Sequence, residues 1–264
     1  MRTEAGPRYS RPAMTSTSAA TPSGPGPLAL VGGNELNPGN EPQDHVLVAA
    51  AGEGPAFVLA TAAGRGHPEM AVRHATAWFD LLGLDVQELP AIRKRDVTSA
   101  AITSRARAGR FFYLVGGDPG RVPTTLAGTP VWDAIVAAWR EGAALAGSSA
   151  GAMALGAWTL IRDRHPGDAS RLYRPALGVV PRTAVIPHFD TFGEGWVAAS
   201  LAARPQKDAV LIGIDERSAA LWQDGVWRAY GPGDVTVFLE DERTTFRSGE
   251  IIHGIPQPKT TAAP

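Results

Sequence analysis

The sequence contains no cysteine. Disulfides, thiolate metal sites and a cysteine nucleophile are thereby excluded. Charge of one sign is also lacking: 25 Lys and Arg against 26 Asp and Glu leave a formal net charge of −1. With no basic field, and no Lys/Arg cluster interleaved with aromatics, nothing in the chain is suited to nucleic acid. No apolar run approaches the roughly 20 residues of a membrane span. The N-terminus lacks the apolar segment of a secretory signal. Neither nucleic acid nor membrane is expected as a partner, and the cytoplasm is the expected compartment. Gly-x-x-x-x-Gly-Lys-[Ser/Thr], Gly-x-Gly-x-x-Gly and His-Glu-x-x-His are all missing, so no nucleotide, metal or other cofactor is expected.

What is present has an ordinary globular balance, 44% hydrophobic and 19% charged over 264 residues, enough for a sizeable core. Residues 1–26 are rich in Pro, Ser, Thr and Gly with little to bury, and are expected to be a disordered tail. Met14 is a second candidate start within it. Residues 256–264 read in the same way. Between them, 27–255 is expected to form one domain.

Within that domain, short apolar β-rich runs at 28–31, 55–60, 85–89, 111–115 and 143–146 alternate with helical patterns. Ala71, Ala75, Trp78, Phe79 and Leu82 share one helical face, as do Val131, Ile135, Ala138 and Trp139. Gly142 then supplies a stop. This alternation predicts an α/β fold: a mostly parallel sheet with helices on both faces. Toward the C-terminus, 219–222 and 226–230 flank Gln223-Asp224-Gly225, and 235–239 precedes 244–247. These read as hairpins, an antiparallel extension of the sheet.

The strongest chemical signal is Gly147-Ser148-Ser149-Ala150-Gly151, entered by an apolar strand and followed by a small-residue helix. Flanking glycines let the backbone make a strained turn that lifts the Ser149 hydroxyl clear of the sheet. Helix amides then point at the place where negative charge would develop. Ser148 lies outside the motif's central position. A second buried strand ends in Gly116-Gly117-Asp118-Pro119, at the sheet edge where α/β folds bind ligands. The Gly117 and Ala150 amides are expected to hold an oxyanion, with Gly116 and Asp118 beside the substrate.

A serine hydroxyl needs a base. Of six histidines, His188 ends the apolar run Ala184-Val185-Ile186-Pro187 and is the expected partner. The run 209–214 leads into Asp215 and Glu216, which face opposite ways along a strand, so one of the two can orient the base.

These blocks, together with Leu28-Ala29-Leu30-Val31-Gly32-Gly33-Asn34-Glu35 and Pro187-His188-Phe189, resemble the S51 serine peptidases over roughly residues 28–250. That family includes dipeptidase E and cyanophycinase. The resemblance implies a class I glutamine amidotransferase-like fold carrying serine in place of cysteine. It further implies Ser149 as nucleophile, His188 as base and the Gly116-Gly117 turn beside the oxyanion hole. Similarity to cyanophycinases points to Glu216 as the acid, whereas dipeptidase E-like enzymes point to an acid soon after the serine, for which Asp163 is nearest.

The sequence departs from the cyanophycinases after His188-Phe189, where no arginine occurs until Arg204. Short peptides or isopeptides, with an aspartyl residue at the cleaved bond, are the expected substrates of a monomer or homodimer. Arg171 and Arg174 are candidate partners for a substrate carboxylate. Two rival readings are an α/β-hydrolase esterase, whose chain order would require His253 as base, and a non-catalytic peptide-binding relative of the same fold.

Overall fold

The computed structural model describes residues 24–64, 66–162 and 171–260; Asp163 lies outside them. The chain runs β1 (Leu28–Val31), α1 (Glu41–Ala51), β2 (Ala56–Leu59), α2 (Pro68–Leu81), β3 (Val86–Glu88), α3 (Lys94–Val97), α4 (Ala100–Ala108) and β4 (Phe111–Leu114). There follow α5 (Arg121–Leu126), α6 (Pro130–Arg140), β5 (Ala144–Ser148), α7 (Ala150–Leu155), β6 (Gly156–Arg162), β7 (Arg171–Pro175) and β8 (Val180–Ile186). A 3-10 turn (Gly193–Trp196) leads to α8 (Val197–Ala202), β9 (Val210–Ile214), β10 (Ala219–Gln223), β11 (Val226–Tyr230), β12 (Val235–Leu239) and β13 (Glu242–Phe246).

Local chemistry accounts for several boundaries. Ser99 caps α4 by accepting from the Ile102 amide. Thr129 caps α6 by accepting from the Trp132 amide, with Pro130 preset for the first helical turn. Asp224-Gly225 turns β10 into β11, both residues with positive φ, as a tight hairpin requires.

The strands form two sheets. The first has the order β11-β10-β1-β5-β4-β2-β3, and its five strands from β1 to β3 are mutually parallel. The second has the order β13-β12-β9-β8-β6-β7, with β6, β8 and β9 parallel. The C-terminal hairpins divide between them: β10–β11 pairs antiparallel to β1, and β12–β13 pairs antiparallel to β9. The single extended sheet expected from sequence is therefore two. β6 begins at Gly156, directly after α7 and without a loop, and so continues away from the first sheet.

Side chains alternate across the first sheet. Ala29, Val31, Phe111 and Tyr113 pack with Leu47, Trp78 and Phe79 from α1 and α2. Leu28, Leu30, Phe112 and Leu114 face the other way, into a larger core shared with α6, α7 and the second sheet. Burial on both faces explains why these strands read as unbroken apolar runs.

Residues 256–260, expected within a disordered tail, are instead tied down. The Trp227 indole donates to the Pro256 carbonyl at 3.0 Å, the Trp222 indole to Gln257 Oε1 at 2.6 Å, and the Lys259 amide to the Val179 carbonyl at 2.8 Å. Buried indole N–H groups need acceptors, and this segment supplies them. At the other end, Gly26 exchanges two hydrogen bonds with Trp139.

Candidate active site

The carboxyl ends of β1, β4 and β5 lie side by side, and the candidate site is built on them. β5 runs straight into Ser149, whose backbone sits at φ 50° and ψ −113°. For a residue with a side chain that conformation stores strain of about 1–3 kcal/mol. Close packing holds the bend. A Cβ on Gly147 would lie 2.5 Å from the Gly151 carbonyl, and one on Gly151 would overlap the Leu114 carbonyl. The Ser149 amide donates to the Val31 carbonyl, and the Ser149 carbonyl accepts from Met153 in the first turn of α7. The two motif glycines thus bring α7 against β5 and β4, leaving the serine side chain to project from the corner.

His188 follows β8 and also has a left-handed backbone, φ 49°. Its amide donates to the Gly32 carbonyl at 2.6 Å, and its carbonyl accepts from the amides of Thr191, Phe192 and Gly193. The imidazole stacks on the Phe192 ring, centroids 5.0 Å apart. Its Nε2 lies 3.0 Å from Ser149 Oγ and its Nδ1 lies 2.7 Å from Glu216 Oε1. With Glu216 ionised, Nδ1 carries the hydrogen and Nε2 is left to accept from the serine hydroxyl.

Glu216 and Asp215 separate in the turn that follows β9, which ends at Ile214. Glu216 turns to His188, and its other oxygen accepts from Asn34 Nδ2 at 3.1 Å. Its backbone amide is held by Asp190 Oδ1 at 3.0 Å. Asp215 turns away and accepts from the Asp234 amide at 2.8 Å. Burial raises the Asp215 carboxyl above its ordinary range, and the bond from the Asp234 amide partly offsets the rise.

The Gly116–Asp118 turn is held by side-chain acceptors. The Gly116 amide, expected beside the substrate, donates to Glu35 Oε1 at 2.7 Å. Glu35 Oε2 accepts from the Ser148 hydroxyl at 2.9 Å. One carboxylate therefore ties the ends of β4 and β5 together beneath Ser149. Gly117 has φ 143°, and a Cβ there would strike the Ala62 backbone. Asp118 Oδ1 accepts from the Gly120 amide, which shapes its own turn. Ala150 heads α7, so its amide has no acceptor within the helix.

Glu35 and Asn34 carry no assigned role in the sequence reading. A carboxylate just after a strand ending in two glycines is the signal that marks the position. Arg171 is buried, with its guanidinium 3.9 Å over the Trp196 ring, and Arg174 is exposed. His253 is exposed and meets the Phe246 ring of β13 edge-on, whereas His188 is the histidine bonded to Ser149. Among the described residues no group of three or more His, Cys, Asp or Glu side chains could hold a metal ion. Nor is any described helix long and apolar enough to cross a membrane.

Comparisons with known proteins agree with this architecture. The family model described as peptidase family S51 matches residues 28–229. Cyanophycinases from Trichormus variabilis and Nostoc sp. are each 31% identical over 173 residues, covering 63% of this chain. The matched part spans 57% of the length of those relatives. A crystal structure of a peptidase from an acI-B1 Actinobacterium superposes with a TM-score of 0.76 at 29% identity, covering 87% of this chain and 97% of that one. A candidate peptidase E protein from Listeria monocytogenes EGD-e shares the fold, with a TM-score of 0.55 at 17% identity over 84% of this chain and 98% of that one. The chain belongs to peptidase family S51.

Proposed function

We propose that the protein is a serine peptidase that hydrolyses short peptides or isopeptides, with Ser149 as nucleophile, His188 as base and Glu216 as the residue that orients His188. The observation that carries this reading is the unbroken hydrogen-bonded line from Ser149 Oγ through both nitrogens of His188 to Glu216, at 3.0 and 2.7 Å. Three separate chain segments converge to make it. A serine hydroxyl on a strained strand-to-helix turn, paired with an oriented imidazole, is suited to acyl transfer.

In the first step Ser149 Oγ bonds to the scissile carbonyl carbon as its proton passes to His188 Nε2. The displaced carbonyl electron pair becomes an oxyanion facing the Gly117 and Ala150 amides. Each such donor typically lowers the barrier by about 3 kcal/mol. Collapse breaks the C–N bond, and His188 returns the proton to the leaving amine. Water then attacks the acyl-serine as His188 takes its proton; the C–Oγ bond breaks, His188 returns the proton to Ser149 Oγ, and the carboxylic acid is released.

The substrate is the finer part of the proposal. An aspartyl residue on one side of the cleaved bond is supported by the resemblance to dipeptidase E and by the relatives named cyanophycinases. Where cyanophycinases carry arginines, this chain has Asp190-Thr191-Phe192, of which Asp190 holds the Glu216 amide and Phe192 stacks on His188. Small dipeptides therefore fit the reading better than a cyanophycin polymer. The same reading has the protein working in the cytoplasm without a cofactor, as a monomer or homodimer.

Wild-type protein should react with a fluorophosphonate at Ser149 and cleave members of an α- and β-aspartyl dipeptide library. Ser149→Ala should do neither. Turnover retained in that variant would refute the assignment, and absence of labelling in the wild type would favour a peptide-binding relative.

A further inference from the structure

A cleft of about 580 Å³ opens between the loop after β1 and the outer face of α2. Its walls are mainly apolar: Leu36, Trp78, Leu81 and Val115 contribute, and Leu81 is 79% exposed. Its inner end is Gly116 and Glu35. Both belong to the candidate site, since a Cβ on Gly116 would lie 3.2 Å from Ser149 Cβ and Glu35 bonds both Gly116 and Ser148. At its inner end the cleft thus lies next to Ser149. It lies outside the carboxyl ends of β1 and β4, the usual position for ligands in α/β sheets, and its volume suits a small ligand.

We infer that this cleft is the subsite for an apolar side chain flanking the scissile bond, and that Glu35 at its inner end excludes an acidic one. The inference rests on the peptidase reading and narrows its substrate class. A leucine- or phenylalanine-sized group entering the cleft would cover Trp78 and Leu81 and remove apolar surface from water. Among the described residues no Lys or Arg lines the cleft, and its titratable residues are Glu35 and His74. A substrate carboxylate placed there would lose water and face Glu35 without a lysine or arginine to pair with. Selectivity thus comes from repulsion as well as contact. An aspartyl residue belongs on the other side of the bond, so the substrate class is a dipeptide or isopeptide joining an aspartyl to an apolar residue.

The test compares aspartyl-leucine and aspartyl-phenylalanine with aspartyl-glutamate, together with the reversed sequences and the β-linked forms. In one of the two orders the apolar member should exceed its acidic counterpart by about tenfold or more in kcat/KM. Ala77 is exposed on the cleft wall. Ala77→Glu should raise KM for the apolar substrate by about tenfold, and Ala77→Lys should shift preference toward the acidic one. The same charge change at Val226, exposed on β11, should alter neither. Equal rates for apolar and acidic partners, or selectivity unmoved by both Ala77 variants, would overturn the inference. Fluorophosphonate labelling of Ser149 separates the two failures: an unlabelled wild type sinks the peptidase reading, whereas a labelled enzyme with unchanged selectivity sinks only the subsite. Thermal melting shows whether the Ala77 variants are folded.

Discussion

Gly33 and His188 are packed so closely that a Cβ on the glycine would lie 2.5 Å from His188 Nε2, the nitrogen that faces Ser149. The glycine also holds φ 111°, a conformation that side chains rarely adopt. Gly33→Ala therefore has to push the imidazole off its line with Ser149 and Glu216. A displacement near 1 Å of a reacting group typically costs about a hundredfold in rate. We expect kcat to fall by about that factor, with a loss of stability of about 1–3 kcal/mol from backbone strain. Steady-state kinetics beside a thermal melt check this. A variant with wild-type kcat would show that the imidazole needs no such close fit.

Glu216 is expected to act through the imidazole. Glu216→Gln keeps the side-chain shape but can offer an N–H to Nδ1, which would favour the wrong tautomer for accepting the Ser149 proton. The corresponding change in a well-studied triad lowers turnover by roughly ten-thousand-fold, and a loss of about a thousandfold or more is expected here. Asn34→Ala removes only the donor on the far carboxylate oxygen. Its effect should be a few-fold, in line with about 1 kcal/mol for one exposed hydrogen bond. If Glu216→Gln costs no more than Asn34→Ala, the orienting acid must be sought elsewhere.

Glu35 links the Gly116 amide to the buried Ser148 hydroxyl, and through them sets the spacing of the β4 and β5 ends. Glu35→Ala leaves both donors without their acceptor, at a cost of about 1–3 kcal/mol each where buried. Glu35→Gln retains an oxygen for Gly116, while its amide can donate to Ser148 Oγ once that hydroxyl rotates. The alanine variant should lose about ten- to a hundredfold in kcat, and the glutamine variant should recover most of it. A general loss of folding would lower active enzyme without this rescue. Equal defects in the two variants would mean that the carboxylate charge itself, not the link, is needed.

The Gly-x-Ser-x-Gly bend was legible because it is local: a strand, a turn that demands glycine and a helix succeed one another between Ala144 and Leu155. The ends of β8 and β9 were legible for a similar reason, since buried parallel strands read as apolar runs and the polar residue after each run marks its edge. Glu35 was not, because its role arises only when β4 and β5 are brought beside the loop after β1. The β10–β11 hairpin announced itself through Asp224-Gly225, but its neighbour did not: Trp222 pairs with Leu28, far away in sequence. Nor could the sequence distinguish one sheet from two, since β9 pairing with β8 rather than with a strand of the first sheet is a tertiary choice. Residues 256–260 look like a tail in composition, yet two buried indoles demand acceptors and find them there.

Asp44 supplies a pH dependence that lies outside the proposed reaction. Its side chain faces inward from α1 and is fully buried. Trp78 Nε1 donates to one oxygen at 2.8 Å, and among the described residues no donor reaches the other. Burial pushes its carboxyl up from 3.8 to about 7; the Trp78 bond opposes the rise, and the charges of Glu41 and Glu35 add to it. The folded chain therefore holds this proton up to about pH 7, while the unfolded chain releases it near pH 4. Between those limits the folded state binds more protons, so stability falls as pH rises. Asp44's contribution is full below about pH 4 and lost above about pH 7, an amount of about 4 kcal/mol. Asp44→Asn keeps an oxygen for Trp78 and cannot ionise. Urea unfolding of both proteins from pH 4 to pH 8 should show the wild type losing stability relative to the variant as pH rises, with the steepest change below pH 7. A constant difference across that range would mean that Asp44 is ionised in the folded protein throughout, and that a polar partner not seen in this arrangement stabilises its charge.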